Sequence, residues 1–185
     1  MDNKVRPIFS SQLADITPRA KPERIIDVSE SPLVPATCLR EKLRLLQAAG
    51  ELDGGLPIVE NSILVGLIPA PDLEYALDSL PSEEDDLCRM VPIDDASESD
   101  YGGGSLKDPC DFTPFIDPAP VALERHSPMD LVYECFVKLG LRYLCVLRDG
   151  QFHGVVSATL KMYLLIHIWP LTSFFKRIRS TKRHL

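Results

Sequence analysis

The apolar positions of this chain fall into two similar series. In the first, Leu39, Leu43, Leu46 and Ala49 recur at helical spacing, and Gly50 follows. In the second, Met129, Val132, Tyr133, Phe136 and Leu139 do the same ahead of Gly140. Such spacing predicts an amphipathic helix. A glycine just past the last apolar position predicts its end, because Gly tolerates positive φ. Each series continues into an apolar run, Leu56-Pro57-Ile58-Val59 or Leu144-Cys145-Val146-Leu147, which reads as a buried strand. Glu60-Asn61-Ser62 and Arg148-Asp149-Gly150 predict turns, and second strands end in Val65-Gly66-Leu67-Ile68 and His153-Gly154-Val155-Val156. Closing helices are expected over 71–77 and 159–165.

From Leu56 to Leu77 the first half aligns with the second without a gap, at an offset of 88. Ile26-Asp27 pairs with Ile116-Asp117 in this scheme. Thr37 and Ser127 each follow the Asp by ten residues and stand where a hydroxyl N-cap is expected. The order helix, strand, turn, strand, helix thus occurs twice, which makes the fold class α/β. One such unit is marginal as an independent core, so the two are expected to pack as a pair.

Residues 82–108 break the pattern. Ser82-Glu83-Glu84-Asp85-Asp86, then Asp94, Asp95, Glu98 and Asp100, then Gly102-Gly103-Gly104, supply charge and few large apolar groups. Such a stretch buries too little surface to offset its ordering entropy and is expected to be a disordered acidic linker. The expected division is 1–81 for the first unit with its lead-in, 82–108 for the linker, 109–157 for the second unit, and 158–185 for an apolar-then-basic tail.

The net charge of −7 argues against nucleic acid, which needs a basic footprint. Five cysteines at wide spacing, with no CxxC pair, argue against a disulfide framework or zinc site and for reduced thiols. No apolar signal segment follows Met1. The apolar stretch 160–175 is broken by Lys161, His167 and Pro170, too short for a bilayer span.

The repeat resembles the CBS-domain pair, or Bateman module. The resemblance is carried by Gly55-Leu56-Pro57-Ile58-Val59, Val65-Gly66-Leu67-Ile68 and Asp72-Leu73, and by Leu144-Cys145-Val146-Leu147 and Gly154-Val155-Val156-Ser157. Four further stretches are similar to the cytoplasmic C-terminal region of CLC chloride channels and proton-coupled chloride transporters. They are Ser31-Pro32-Leu33-Val34-Pro35, Asp111-Phe112-Thr113-Pro114-Phe115-Ile116-Asp117-Pro118, His126-Ser127-Pro128-Met129-Asp130 and Phe136-Val137-Lys138-Leu139-Gly140-Leu141-Arg142. Gly50-Glu51-Leu52-Asp53-Gly54-Gly55-Leu56-Pro57 with Ile68-Pro69-Ala70-Pro71-Asp72 resembles the fungal intracellular branch.

The resemblance implies a regulatory role and no enzymatic one. It implies a homodimer with a second CBS pair, and coupling to a membrane-embedded CLC transport domain that this sequence lacks, so the chain alone conducts no ions. It implies the cytosolic face of an intracellular membrane (Golgi, endosome or vacuole). The alternative is a stand-alone cytoplasmic CBS-pair sensor of adenine nucleotides acting on a separate partner.

The resemblance also points to ATP, ADP or AMP as regulatory ligand in a cleft between units, with an Asp on the ribose hydroxyls. Asp72 holds that place, although Pro69 replaces the expected hydroxyl residue; Ser157 is its second-half counterpart, with Leu160 where the Asp belongs. Asp53 and Gly54 occupy the positions where adenine stacks in some members, and neither can stack. The competing reading, which the site chemistry favours, makes Asp72 a first-turn residue of the closing helix.

His126 and His153 read as surface residues. No HExxH, GxSxG or P-loop pattern occurs. The glycine run lacks the flanking strand and helix of a phosphate loop. Ser97 and Ser99 sit among acidic residues that suit an acid-directed kinase. Beyond Ser157 the sequence leaves the family pattern, as an alternative terminal exon would. Its basic end, Lys176, Arg177, Arg179, Lys182 and Arg183 with Trp169, Phe174 and Phe175, is chemistry suited to peripheral membrane contact through 169–185, against a solvated tail.

Overall fold

The computed structural model describes residues 12–51, 54–81, 86–92 and 110–157. They form two compact units. The first is centred on residues 20–120 and the second on 121–149 and 153–157 with 12–19.

The first unit is built around β3 (Gly55–Glu60), flanked by β1 (Ile26–Asp27) in parallel and β4 (Ile63–Pro69) in antiparallel. A strand paired on both edges and covered on both faces must be apolar throughout. Leu56 and Ile58 accordingly have no exposed surface. Helices α1 (Ala36–Ala48) and α2 (Ala70–Asp78) bury Leu39, Leu43, Leu73 and Leu77 against the same core.

The second unit repeats this with β7 (Ala122–Glu124), β8 (Tyr143–Arg148), β9 (Gln151–Ser157) and α3 (Met129–Val137). Its core is Leu13, Met129, Val132, Phe136, Leu144, Val146 and Val156. The bounds of β8 and β9 reproduce those of β3 and β4 at the expected offset of 88. The turn residues match too: Asn61 (φ 49°) and Ser62 (φ 69°) correspond to Asp149 (φ 53°) and Gly150 (φ 77°). Two consecutive positive φ values are the type I′ hairpin, whose twist suits the strands on either side. Gly50 (φ 70°) and Gly140 (φ 69°) follow their helices in the left-handed conformation, as expected.

Several expectations require correction. Thr37 and Ser127 are not N-caps: Pro35 and Pro128 hold those places, and Thr37 is already inside α1. Proline fixes φ near −65° in extended backbone, so the chain enters each helix directly from it. Ile116-Asp117 is not the counterpart of Ile26-Asp27. Ile26 pairs with Ile58, and the residue that pairs with the matching Val146 is Leu123. Ile116-Asp117 instead joins the free edge of β4, where Asp117 bridges Leu67. The following Pro118 has no N–H to extend the bridge.

The acidic stretch is not all linker. Residues 86–92 are ordered around β5 (Leu87–Arg89), which pairs antiparallel with β2 (Leu33–Pro35) and parallel with β6 (Cys110–Asp111). Cys88 and Met90 are buried. The backbone carbonyl of Asp86 accepts the first N–H of α1, from Ala36, at 3.0 Å. Alternating apolar positions formed a strand that the surrounding charge concealed. Residues 82–85 and 93–109 lie outside the described residues, as do the closing helix expected over 159–165 and the 158–185 tail.

The described part of the lead-in, residues 12–19, belongs with the second unit and not the first. The Leu13 and Ala14 amides donate to the Ser127 and Arg125 carbonyls at 3.0 and 2.7 Å, and the Leu13 side chain enters the second core.

Two predictions follow from this packing. A Cβ added at Gly66 would lie 2.8 Å from Ile116 Cγ2 and 3.3 Å from the Asp117 carbonyl oxygen. Gly66→Ala is therefore expected to lower stability by about 1–3 kcal/mol in urea denaturation, from overpacking. His153, on β9, has its pKa held below the usual histidine value by burial, then by Arg125, Arg148 and Arg19. The folded chain thus resists protonation more than the unfolded chain does. Its stability contribution is intact above the unfolded pKa of about 6.5 and is lost as pH falls from there toward the folded pKa. Thermal melts from pH 7.5 downward should show the wild type losing stability in that window and His153→Gln losing less.

Candidate functional site

A cleft of about 270 Å³ opens within the first unit. Three segments wall it. β4 supplies Val65, the chain leaving β5 supplies Met90, Val91 and Pro92, and the chain leaving β6 supplies Thr113, Pro114, Ile116 and Pro118.

Each wall is fixed from the backbone outward. On the β4 side, Leu67 and Asp117 exchange both hydrogen bonds, the amides donating to the opposite carbonyls at 2.9 and 2.8 Å. That reciprocal pair lays Ile116 over Gly66. On the β5 side, the Met90 amide donates to the Pro32 carbonyl at 2.9 Å and the Phe112 amide to the Arg89 carbonyl at 3.0 Å. Asp111 shapes the third wall. Its carboxylate accepts from the Thr113 hydroxyl at 2.7 Å and the Thr113 amide at 3.0 Å, which starts the 3-10 turn Thr113–Phe115. The Thr113 hydroxyl is the chief reason that the Asp111 pKa lies below the usual carboxylate value. Phe115 then packs against Tyr75 of α2 at a ring-centroid distance of 6.0 Å.

The chemistry of this cleft is apolar and rigid. Three prolines offer no backbone N–H, and the Thr113 hydroxyl is already committed to Asp111. Walls of this kind suit a flat or compact apolar body rather than a naked charge. Nucleophilic or acid–base catalysis would need a poised base, and none of the lining residues is one. Among the described residues, no group of three or more His, Cys, Asp or Glu is placed to hold a metal ion.

The expected site residues are placed as follows. Asp72 is exposed in the first turn of α2, three residues before Tyr75, and so shares its face of the helix. Ser157 is half-buried at the end of β9 in the second unit. Asp53 lies outside the described residues. Neither Asp72 nor Ser157 lines the cleft. His126 is exposed, with Nδ1 2.9 Å from Gln12 Oε1. Sequence reasoning missed Met90, Val91 and Pro92 as site residues because it read them as linker. The signal was there: the apolar pair Met90-Val91 next to Pro92, inside an otherwise acidic stretch.

No family model matches the chain. In sequence it is similar to H(+)/Cl(-) exchange transporter 3 of Homo sapiens and of Pongo abelii, 26% identical to each over 106 residues. The match covers 56% of this chain and 13% of each relative, so it concerns a small part of those proteins. Among solved structures, the acetoin utilization protein AcuB of Vibrio cholerae matches with a TM-score of 0.55 at 13% identity, covering 89% of this chain and 97% of that one. CBSX2, solved in complex with AMP, matches with a TM-score of 0.50 at 15% identity, covering 84% and 97%. The CBS-domain pair of protein MJ0100, solved with 5′-methylthioadenosine and S-adenosyl-L-methionine, matches with a TM-score of 0.51 at 16% identity, covering 84% and 99%. No helix among the described residues is long and apolar enough to cross a membrane. Two helix-backed sheets whose hairpins repeat at an offset of 88, and these neighbours, identify the fold as a CBS-domain pair, in a chain similar over about half its length to part of a proton–chloride exchanger.

Proposed function

We propose that this chain is the non-catalytic regulatory CBS pair of a CLC-type chloride channel or chloride–proton exchanger, of the fungal intracellular type. The observation that carries the reading is the 106-residue similarity to H(+)/Cl(-) exchange transporter 3 in a chain with a CBS-pair fold. The partners are the membrane-embedded transport domain and a second CBS pair in a homodimer, at the cytosolic face of an intracellular membrane. The first unit in this reading runs over 20–120, taking in β5, β6 and the Thr113–Phe115 turn in place of the boundary at 109 read in the sequence, the second resumes at 121, and the basic 169–185 end contacts the membrane periphery.

The regulatory ligand in this proposal is AMP, ADP or ATP, with the adenine in the cleft beside Val65, Met90 and Ile116. Solved neighbours hold AMP and adenosine derivatives, which supports the ligand class. Asp72, outside the cleft lining, is assigned the ribose hydroxyls; the packing of its helix on the segment after β6, through Tyr75 and Phe115, supports the assignment. Such a ligand shifts gating only through different affinity for two arrangements of the module.

A stand-alone nucleotide sensor is the second reading. It is favoured by CBSX2, a solved chain that this chain covers almost completely.

Titration calorimetry with AMP, ADP and ATP tests the ligand. At least one should bind with one-to-one stoichiometry. Val65→Trp, which fills the cleft, should weaken that binding at least about tenfold with the circular dichroism spectrum unchanged. Asp72→Ala should weaken it by about tenfold, the worth of one charge-assisted hydrogen bond. No heat with any of the three nucleotides would remove the ligand, and an unaffected Val65→Trp would remove the cleft as its site.

A further inference from the structure

Cys88 on β5 and Cys110 on β6 are direct register partners on neighbouring parallel strands. Adjacent strands lie about 4.8 Å apart, and paired positions project to the same face of a sheet. A disulfide needs Cα atoms about 4.4–6.8 Å apart. Cys88 belongs to the first core and has no exposed surface; Cys110 is half-buried and packs against that same core. Both are thiols here.

We propose that Cys88 and Cys110 form a reversible disulfide by exchange with a low-molecular-weight disulfide such as oxidised glutathione. Cys110 is the more accessible of the two and is the entry point. Its thiolate attacks one sulfur of the small disulfide, forming a mixed disulfide and releasing one thiol. The Cys88 thiol then gives up its proton, attacks the Cys110 sulfur and displaces the second thiol. The two cysteines are oxidised, the small disulfide is reduced to two thiols, and no other reactant is required.

The position gives the bond a consequence. Met90, Val91 and Pro92 leave from β5 just beyond Cys88, and Thr113, Pro114 and Ile116 leave from β6 just beyond Cys110. The disulfide would join two cleft walls at their common foot and close the acidic stretch between them into a covalent loop. In a reducing compartment, a disulfide of this sort is a transient, redox-sensing one.

The remaining cysteines are internal references. Cys38 is exposed on α1, and Cys135 and Cys145 are buried. Burial, with Glu134 beside it, pushes the Cys135 thiol up, away from reactivity.

The test is to equilibrate the native chain with glutathione buffers of rising oxidised fraction, quench in acid, alkylate in denaturant and map the peptides by mass. The expected result is a Cys88–Cys110 cross-linked peptide, two hydrogens lighter than the sum of its parts. It should exceed the Cys110–glutathione adduct by at least about tenfold, while Cys38 shows only the mixed disulfide. In Cys110→Ser, Cys88 should stay a thiol under the same buffers. Recovery of Cys110 chiefly as its glutathione adduct or as the thiol, with Cys88 alkylated, would overturn the proposal. So would glutathione on Cys88 in Cys110→Ser at the rate at which the wild type forms its cross-link. None of these readouts depends on nucleotide binding, so failure here and failure of the ligand reading are separate results.

Discussion

The reciprocal pair of hydrogen bonds between Leu67 and Asp117 organises the first unit. It exists because residue 66 has no side chain: the Ile116 methyl group and the Asp117 carbonyl occupy the space that a Cβ would take. Through it, a segment far along the chain covers the free edge of β4. An open strand edge leaves amides and carbonyls without partners, and covering it also protects against pairing with other chains. The same contact brings Ile116 into the lining of the cleft with Val65 and so creates one of its walls. Fold closure and site construction are therefore one event, with β2, β5 and β6 completing the enclosure from the other side.

The two units solve a shared problem with different pieces of chain. In each unit the first helix, α1 or α3, follows a proline N-cap and has a neighbouring segment docked along its entry. In the first unit this is β5 beside β2; in the second it is the lead-in at Gln12, whose backbone bridges Pro128. Neither docking segment adjoins its partner in sequence. Local periodicity describes what a residue does with its near neighbours, and long-range docking leaves a weaker trace. That is why α1 and α3, the left-handed Gly50 and Gly140, and the two hairpins at their offset of 88 are legible, while the docked lead-in residues and β5 are not.

The errors share a physical cause. Thr37 and Ser127 have the right chemistry for a cap, but Pro35 and Pro128 impose the entry conformation first. Ile116-Asp117 resembles Ile26-Asp27 in composition, whereas register gives Leu123-Glu124 the equivalent place beside β8. Averaging charge across 82–108 obscured Cys88 and Met90, two buried positions that alternate as a strand requires. At the site, Asp72 was legible as a residue heading α2. The packing of its helix on the segment after β6 was not, because that runs through Tyr75 and Phe115, an aromatic contact between elements distant in sequence. The cleft itself combines three segments that only the folded topology brings together.

Enclosure of the cleft by a docked segment would tie the proposed ligand to the order of that segment: a ligand seated against Ile116 and Val65 would stabilise the same hydrogen bonds that hold the wall in place. Amide hydrogen exchange at Leu67 and Asp117, followed by NMR with and without saturating AMP, examines this link directly. The account predicts that the two amides are protected together in the unliganded chain and that AMP slows both by a common factor. An Asp117 amide exchanging as fast as unstructured chain, or AMP slowing amides elsewhere while leaving these two unchanged, would contradict it.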